Sequence, residues 1–182
     1  MPAKYHFISS YRLSGDRRAV WEALLDVESW PSWWRWLRRI EQVAAATSDD
    51  GVGSAYRNFM TSPLGTRFSY TTTITAVDLH RRIDIASTGD LRGRGRFSLV
   101  DAPDGAIDVT YTWLVETTKW WMSALAVVGR PAFGWNHDRL MDDFGHGLAS
   151  AAGAKLIDAR NETVRPSTPG FYEMPAIPEA QG

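Results

Sequence analysis

The chain has 182 residues, is 44% hydrophobic and carries a net charge of −1. That length fits one large domain, or one domain and an arm, and the near-neutral balance excludes a bulk field drawing it to nucleic acid or anionic lipid. Without cysteine, disulfides and thiolate zinc sites are excluded as well.

The opening stretch "MPAKYHFISSYRLSG" has neither a long apolar run nor a cleavage pattern, so no secretory signal is read there. No segment approaches the ~20 uninterrupted apolar residues of a spanning helix. The expectation is a cytoplasmic protein with no stable membrane insertion. Within this stretch Tyr5, Phe7, Ser9, Tyr11 and Leu13 share one parity, the mark of a first strand with one buried face.

"SGDRRAVWEALLDVESW" follows. Ser14 or Asp16 can cap a short helix, and Val20, Trp21, Leu24 and Leu25 recur at helical spacing. "WPSWWRWLRRI" begins a second short helix, with Pro31 near its first position. Residues 40 to 118 then change to period two. Six strands are predicted, over 40–47, 53–62, 66–79, 81–89, 91–101 and 106–118. Turn signals such as Pro63-Leu64-Gly65 and Pro103-Asp104-Gly105 separate them, so an antiparallel meander results. With the first strand the sheet has seven members.

In "LRGRGRFSLVD", Arg92, Arg94 and Arg96 hold one parity, and Leu91, Gly93, Gly95, Phe97 and Leu99 hold the other. Glycine on the apolar side leaves volume unfilled, or marks a bulge or a close backbone approach. The arginines, with Arg57 and Arg67, read as an exposed strand face.

Helical spacing returns after residue 118. "KWWMSALAVVG" is an apolar lead-in, fitting a core segment, a pocket lid or a homodimer face, before Gly129 and Pro131 break or kink the chain. A long helix then runs through "AFGWNHDRLMDDFGHGLASAAGAKL", with Phe133, His137, Leu140, Met141, Phe144, Leu148 and Ala151 on one stripe. Two regions are expected: 1–158 as the ligand-binding domain and 159–182 as a proline-rich C-terminal arm.

A twisted sheet wrapped around the last helix buries both apolar faces. The order of elements resembles the START-like helix-grip superfamily (SRPBCC), which includes polyketide cyclase/dehydratase and lipid-transfer proteins. The residues that carry the resemblance are "RRAVWEALLDVESWPSWWRWL", "STGDLRGRGRFSLV", "VTYTWLVET" and "FGWNHDRLMDDFGHGLA", over roughly residues 4 to 156. It implies an α+β helix-grip fold: a seven-stranded curved antiparallel sheet around a long C-terminal helix, with two short helices between strands 1 and 2. It also implies an internal cavity for a hydrophobic or aromatic small molecule, such as a lipid or a polyketide-like compound.

Candidate lining residues are Trp33, Trp34, Tyr56, Asn58, Tyr70, Gly93, Gly95, Phe97, Tyr111, Trp113, Phe133, His137, Leu140, Met141 and Phe144. Tryptophans 30, 33, 34 and 36 have several readings: packing against the sheet rim, lining a pocket entrance, or, for Trp36 beside Arg35, Arg38 and Arg39, touching a membrane interface. Base stacking would need a basic groove. His137 reads as a satisfied core group, as a polar handle for a ligand, or as a general acid/base partnered by Tyr70, Tyr111, Tyr56 or Asn58.

No metal is expected, because His137 and His146 fall on opposite sides of the helix. Asp138, Asp142 and Asp143 read as a solvated face on which Arg139 can pair with Asp143. No phosphate loop, nucleophile elbow or dinucleotide fingerprint is present, and no cofactor is expected. Binding or transport of a hydrophobic ligand is the leading function. A cyclase/dehydratase using His137 is the alternative.

Overall fold

The computed structural model describes residues 4–118 and 120–164, with the backbone alone at 120–133. The elements in chain order are β1 (Lys4–Ser14), α1 (Arg17–Leu25), α2 (Trp30–Trp33), β2 (Leu37–Ala44), β3 (Ala55–Thr61), β4 (Arg67–Asp78), β5 (Arg82–Gly89), β6 (Leu91–Asp101), β7 (Ile107–Thr117), α3 (Trp120–Ala151) and β8 (Lys155–Val164). One antiparallel sheet runs β2-β3-β4-β5-β6-β7-β1-β8. This is the expected helix grip, with α1 and α2 inserted between the first two strands.

The sheet has eight strands rather than seven. After α3 a short turn at Gly153 (φ 62°) sends the chain back along β1, pairing Leu13 with Leu156 and His6 with Val164. The sequence hides this strand because Asp158, Arg160 and Glu162 hold one parity while the other, Ala159, Asn161 and Thr163, carries little apolar signal. Such charges suit an edge strand, whose free side must resist pairing with another chain. The boundary expected at 158/159 therefore falls inside β8, and residues 159–164 belong to the sheet rather than to an arm. The proline-bearing stretch from residue 165 lies outside the described residues.

At the helix ends, one of the two candidate caps is used and the second helix is shorter than expected. Asp16, not Ser14, caps α1: its Oδ2 accepts from the Ala19 amide at 3.2 Å. The helix expected from Trp30 onward closes after one turn. Trp34 is extended (φ −109°, ψ 90°), which lets its indole reach α3 and frees Leu37 to begin β2. α3 is a single 32-residue helix across Gly129 and Pro131. A proline inside a helix costs about 3 kcal/mol, whereas nucleating a second helix costs about 4 kcal/mol, so continuing is the cheaper course.

The core lies between the sheet and α3. Tyr11, Leu13, Phe97, Leu99, Val109 and Tyr111 meet Leu140, Met141, Phe144 and Leu148, while Val20, Trp21 and Leu24 of α1 close one end. The predicted stripe on α3 is buried from His137 to Leu148, but Ala151 at its end is exposed. The β7 register sets Val109 opposite Tyr11 and Trp113 opposite Phe7, so these four side chains share the inner face.

Candidate functional site

A cavity of about 60 Å³ lies between the sheet, α1, α2 and α3. The strands supply Tyr56, Asn58, Tyr70, Thr72, Ile74, Ile83, Ile85, Phe97, Tyr111 and Trp113. The α1–α2 segment supplies Leu24, Leu25, Val27, Trp30 and Trp34, and α3 supplies Met141 and Phe144. Ligand pockets usually span ~300–1,000 Å³, so aromatic side chains have taken up most of this space. Phe144 is the hub. The rings of Trp34, Trp30 and Trp33 meet it edge-on at 5.1, 5.4 and 5.4 Å. Phe97 stacks on Tyr111 at 4.2 Å.

Polar groups in this wall are few and placed apart. The Asn58 Nδ2 donates to the carbonyls of Tyr56 (3.1 Å) and Tyr70 (3.3 Å) and to Thr72 Oγ1 (3.0 Å). Three acceptors around that nitrogen fix the amide orientation. The Asn58 Oδ1 accepts from no described residue. The indole N–H of Trp113 is buried without a partner. Burial raises the phenol pKa of Tyr70 and of Tyr111, for Tyr111 with an added push from Tyr70 and Tyr11, so both hydroxyls stay protonated at neutral pH. The cavity thus presents one open acceptor and neutral phenols on an apolar wall, with the unpartnered Trp113 N–H buried beside it.

His137 stands behind this wall. Its ring is buried, stacked face to face on Phe7 at 3.8 Å and 6.3 Å from Trp113. Neither ring nitrogen has a hydrogen-bond partner. The nearest carboxylate is Asp138, with Oδ1 3.8 Å from Nδ1. Burial lowers its pKa, against a weaker opposing pull from Asp138, so the imidazole is neutral at pH 7. Tyr56, Asn58, Tyr70 and Tyr111 line the cavity, but none of them bonds to His137.

Among the other candidates, Trp34, Phe97, Met141 and Phe144 reach the cavity. Leu140 is buried beside it and offers its carbonyl to the Trp34 indole at 2.9 Å. Trp33 packs on Phe144 outside it. Phe133 has its side chain outside the described residues. Gly93 and Gly95 do not leave a void. A Cβ at Gly93 would sit 1.9 Å from the Leu114 carbonyl oxygen, and one at Gly95 would sit 2.9 Å from the Tyr111 hydroxyl. These glycines admit a close neighbour. The α1–α2 residues Leu24, Leu25 and Val27 join the wall beyond the expected set, although the apolar spacing of α1 carries the signal, and Trp30 takes the pocket-lining one of its readings. Thr72, Ile74, Ile83 and Ile85 were also readable, from strand parity.

Asp143 does not pair with Arg139. It accepts instead from Arg35 Nε at 2.8 Å and from the Trp36 indole, which ties the start of β2 to α3. On the outer face Arg96 pairs with Asp84 at 2.6 Å and Arg92 with Glu116. Among the described residues no three His, Asp or Glu side chains gather as a metal site, and no helix is long and apolar enough to cross a membrane.

A family model described as polyketide cyclase / dehydrase and lipid transport matches residues 14–144. No curated protein matches the chain. Solved structures with a similar fold include a conserved protein from Geobacillus kaustophilus (TM-score 0.66, 16% identity, covering 81% of this chain and 95% of that one). A START superfamily protein from Mycobacterium smegmatis gives a TM-score of 0.64 at 16% identity, over 81% and 97% of the two chains. The Zhui aromatase/cyclase from Streptomyces sp. R1128 gives 0.62 at 13% identity, over 83% and 94%.

Proposed function

Because the chain belongs to the polyketide cyclase / dehydrase and lipid transport family, we propose that it binds and carries a hydrophobic, partly aromatic small molecule between its sheet and α3. The observation behind this reading is the cavity wall: aromatic and branched apolar side chains around the open Asn58 Oδ1, with the unpartnered Trp113 N–H buried beside them. Leaving a buried donor unpaired costs ~1–3 kcal/mol, and a ligand acceptor would relieve it.

A ligand hiding ~300 Å² of apolar surface gains about 7.5 kcal/mol at ~25 cal/mol per Å², within the ~4–15 kcal/mol that association costs. Gain and cost are of one size, so the polar handles add to the surplus and set the orientation. The present volume of about 60 Å³ requires that the ligand displace rings, and the parts of the wall not woven into the sheet are the α1–α2 segment with Trp30 and Trp34 and the α3 residues Met141 and Phe144.

The position of His137 supports carriage over catalysis. A general acid or base works within hydrogen-bond reach of its substrate, and the contacts of this imidazole are Phe7 and Trp113. Tyr70 and Tyr111, kept protonated by burial, are not available as general bases at neutral pH.

Native mass spectrometry of protein purified from its own host tests the proposal. The expected result is an added lipid- or polyketide-sized mass that anilinonaphthalene sulfonate displaces. A bare chain mass, together with no saturable binding of that probe, would overturn it.

A further inference from the structure

One end of the molecule combines exposed apolar side chains with unpaired cations. The turn between β3 and β4 puts Leu64 at its tip, 57% exposed, and its amide donates to Asn136 Oδ1 of α3 at 3.2 Å. Trp135, which precedes Asn136 on α3, is 52% exposed. Next to the tip lies an open groove of about 790 Å³ whose lining includes Arg38, Arg67, Phe59, Thr61 and Ser69. Arg38 and Arg67 form no ion pair among the described residues. Neither does Arg57, whose guanidinium lies over the Phe59 ring at 5.3 Å. The carboxylate in the groove, Asp90, accepts from the Ser69 amide at 3.0 Å.

We infer that this end of the protein docks on an anionic phospholipid surface, with Arg38 and Arg67 on headgroup phosphates and Leu64 and Trp135 at the acyl boundary. The net charge of −1 gives no general attraction, so the contact is local to this groove. A guanidinium fork matches phosphate oxygens in pairs, and half-exposed Leu and Trp beside basic residues suit the interfacial layer. An acidic protein would use the arginines and leave both apolar tips in water. The docking does not depend on what fills the internal cavity.

Flotation of the full chain with phosphatidylcholine vesicles, with and without phosphatidylserine, tests it. The chain should float with the anionic vesicles, not with the neutral ones, and should come off as salt rises. The double variant R38Q/R67Q should lower partitioning about thirtyfold. L64S should lower it too, although it removes no charge. All these side chains lie outside the cavity, so thermal midpoint and anilinonaphthalene sulfonate binding should not change. Equal flotation with both vesicle types would overturn the inference, as would full binding by R38Q/R67Q. Release by soluble polyglutamate, with L64S behaving as the parent chain, would make the face a site for an acidic protein and overturn it equally.

Discussion

The imidazole of His137 lies flat on the ring of Phe7, centroids 3.8 Å apart and planes within 9°. No charge can be held comfortably there. Burial lowers the pKa of His137, and of His6, the neighbour of Phe7 on β1. Below a pH of about 6.5 the unfolded chain therefore binds more protons than the folded one. Stability should fall as pH drops through that value and level off below the folded-state pKa, with a slope of at most about 1.4 kcal/mol per pH unit for each histidine. Asp108, whose carboxyl is held low by Arg12, titrates below this window. Urea unfolding of the parent and of His137→Leu between about pH 7.5 and 5 checks it. The variant should lose part of the slope and keep the share due to His6. An unchanged slope would mean that the imidazole meets water.

Gly93 and Gly95 make a graded pair. In Gly93→Ala the new methyl would meet backbone, the Leu114 oxygen at 1.9 Å and the Val115 Cα at 2.8 Å. In Gly95→Ala it would meet side-chain atoms, Ile85 Cγ1 at 2.8 Å and the Tyr111 hydroxyl at 2.9 Å. Side chains can turn aside more cheaply than a paired strand can move. Overpacking of the second kind costs ~1–3 kcal/mol, and Gly93→Ala should exceed that or fail to fold. Thermal midpoints of the two variants give the comparison, and the reverse order would show that β7 yields more easily than Ile85.

Those glycines also show what the sequence could and could not disclose. Parity alone put Gly93 and Gly95 on the inner side, correctly, because alternation along a strand is a local property. Whether the missing side chain leaves a gap or admits a neighbour depends on the partner strand's distance, which has no local signature. β8 was lost for a related reason: Asp158, Arg160 and Glu162 obey the needs of an edge, not of a half-buried strand. The place of His137 between Leu140 and residue 133 on the helix gives its inward direction. Its depth behind Trp113 follows from the β1–β7 register, in which Phe7 faces Trp113, and no single-chain periodicity encodes that. The tryptophan cluster divides similarly. Trp30 and Trp34 turn to the cavity, Trp33 to Phe144 and Trp36 to Asp143, because the helix ends after one turn and each ring leaves in a different direction.

Two successive carbonyls of α3 accept from two different elements, β1 and the end of α2. The Tyr11 hydroxyl donates to Met141 at 2.8 Å and the Trp34 indole to Leu140 at 2.9 Å. Each is a buried bond worth ~0.5–1.5 kcal/mol. Tyr11→Phe should cost about 1 kcal/mol in urea unfolding, since it removes one oxygen and leaves the ring against Phe144. Trp34→Phe should cost more, because it also removes part of an indole from the core. Both rings touch Phe144, so their effects should not simply add, and a double-mutant cycle should return a coupling of at least ~0.5 kcal/mol. Strict additivity would mean that α3 is fixed elsewhere.

Trp113 separates the needs of the fold from those of the ligand. Its indole N–H is buried with no acceptor, so in the empty protein it is a cost of ~1–3 kcal/mol. Trp113→Phe removes the donor and keeps an aromatic ring on the cavity wall. If the N–H is kept for a ligand, the variant should unfold at an equal or higher urea concentration than the parent and yet bind the co-purifying molecule about tenfold more weakly, the loss expected from one hydrogen bond of ~1.4 kcal/mol. A residue that served packing alone would behave the other way: deleting part of an indole would lower stability and leave affinity nearly unchanged. Unfolding midpoint and ligand titration on the same variant distinguish the two outcomes, because opposite movements of stability and affinity cannot arise from a packing defect.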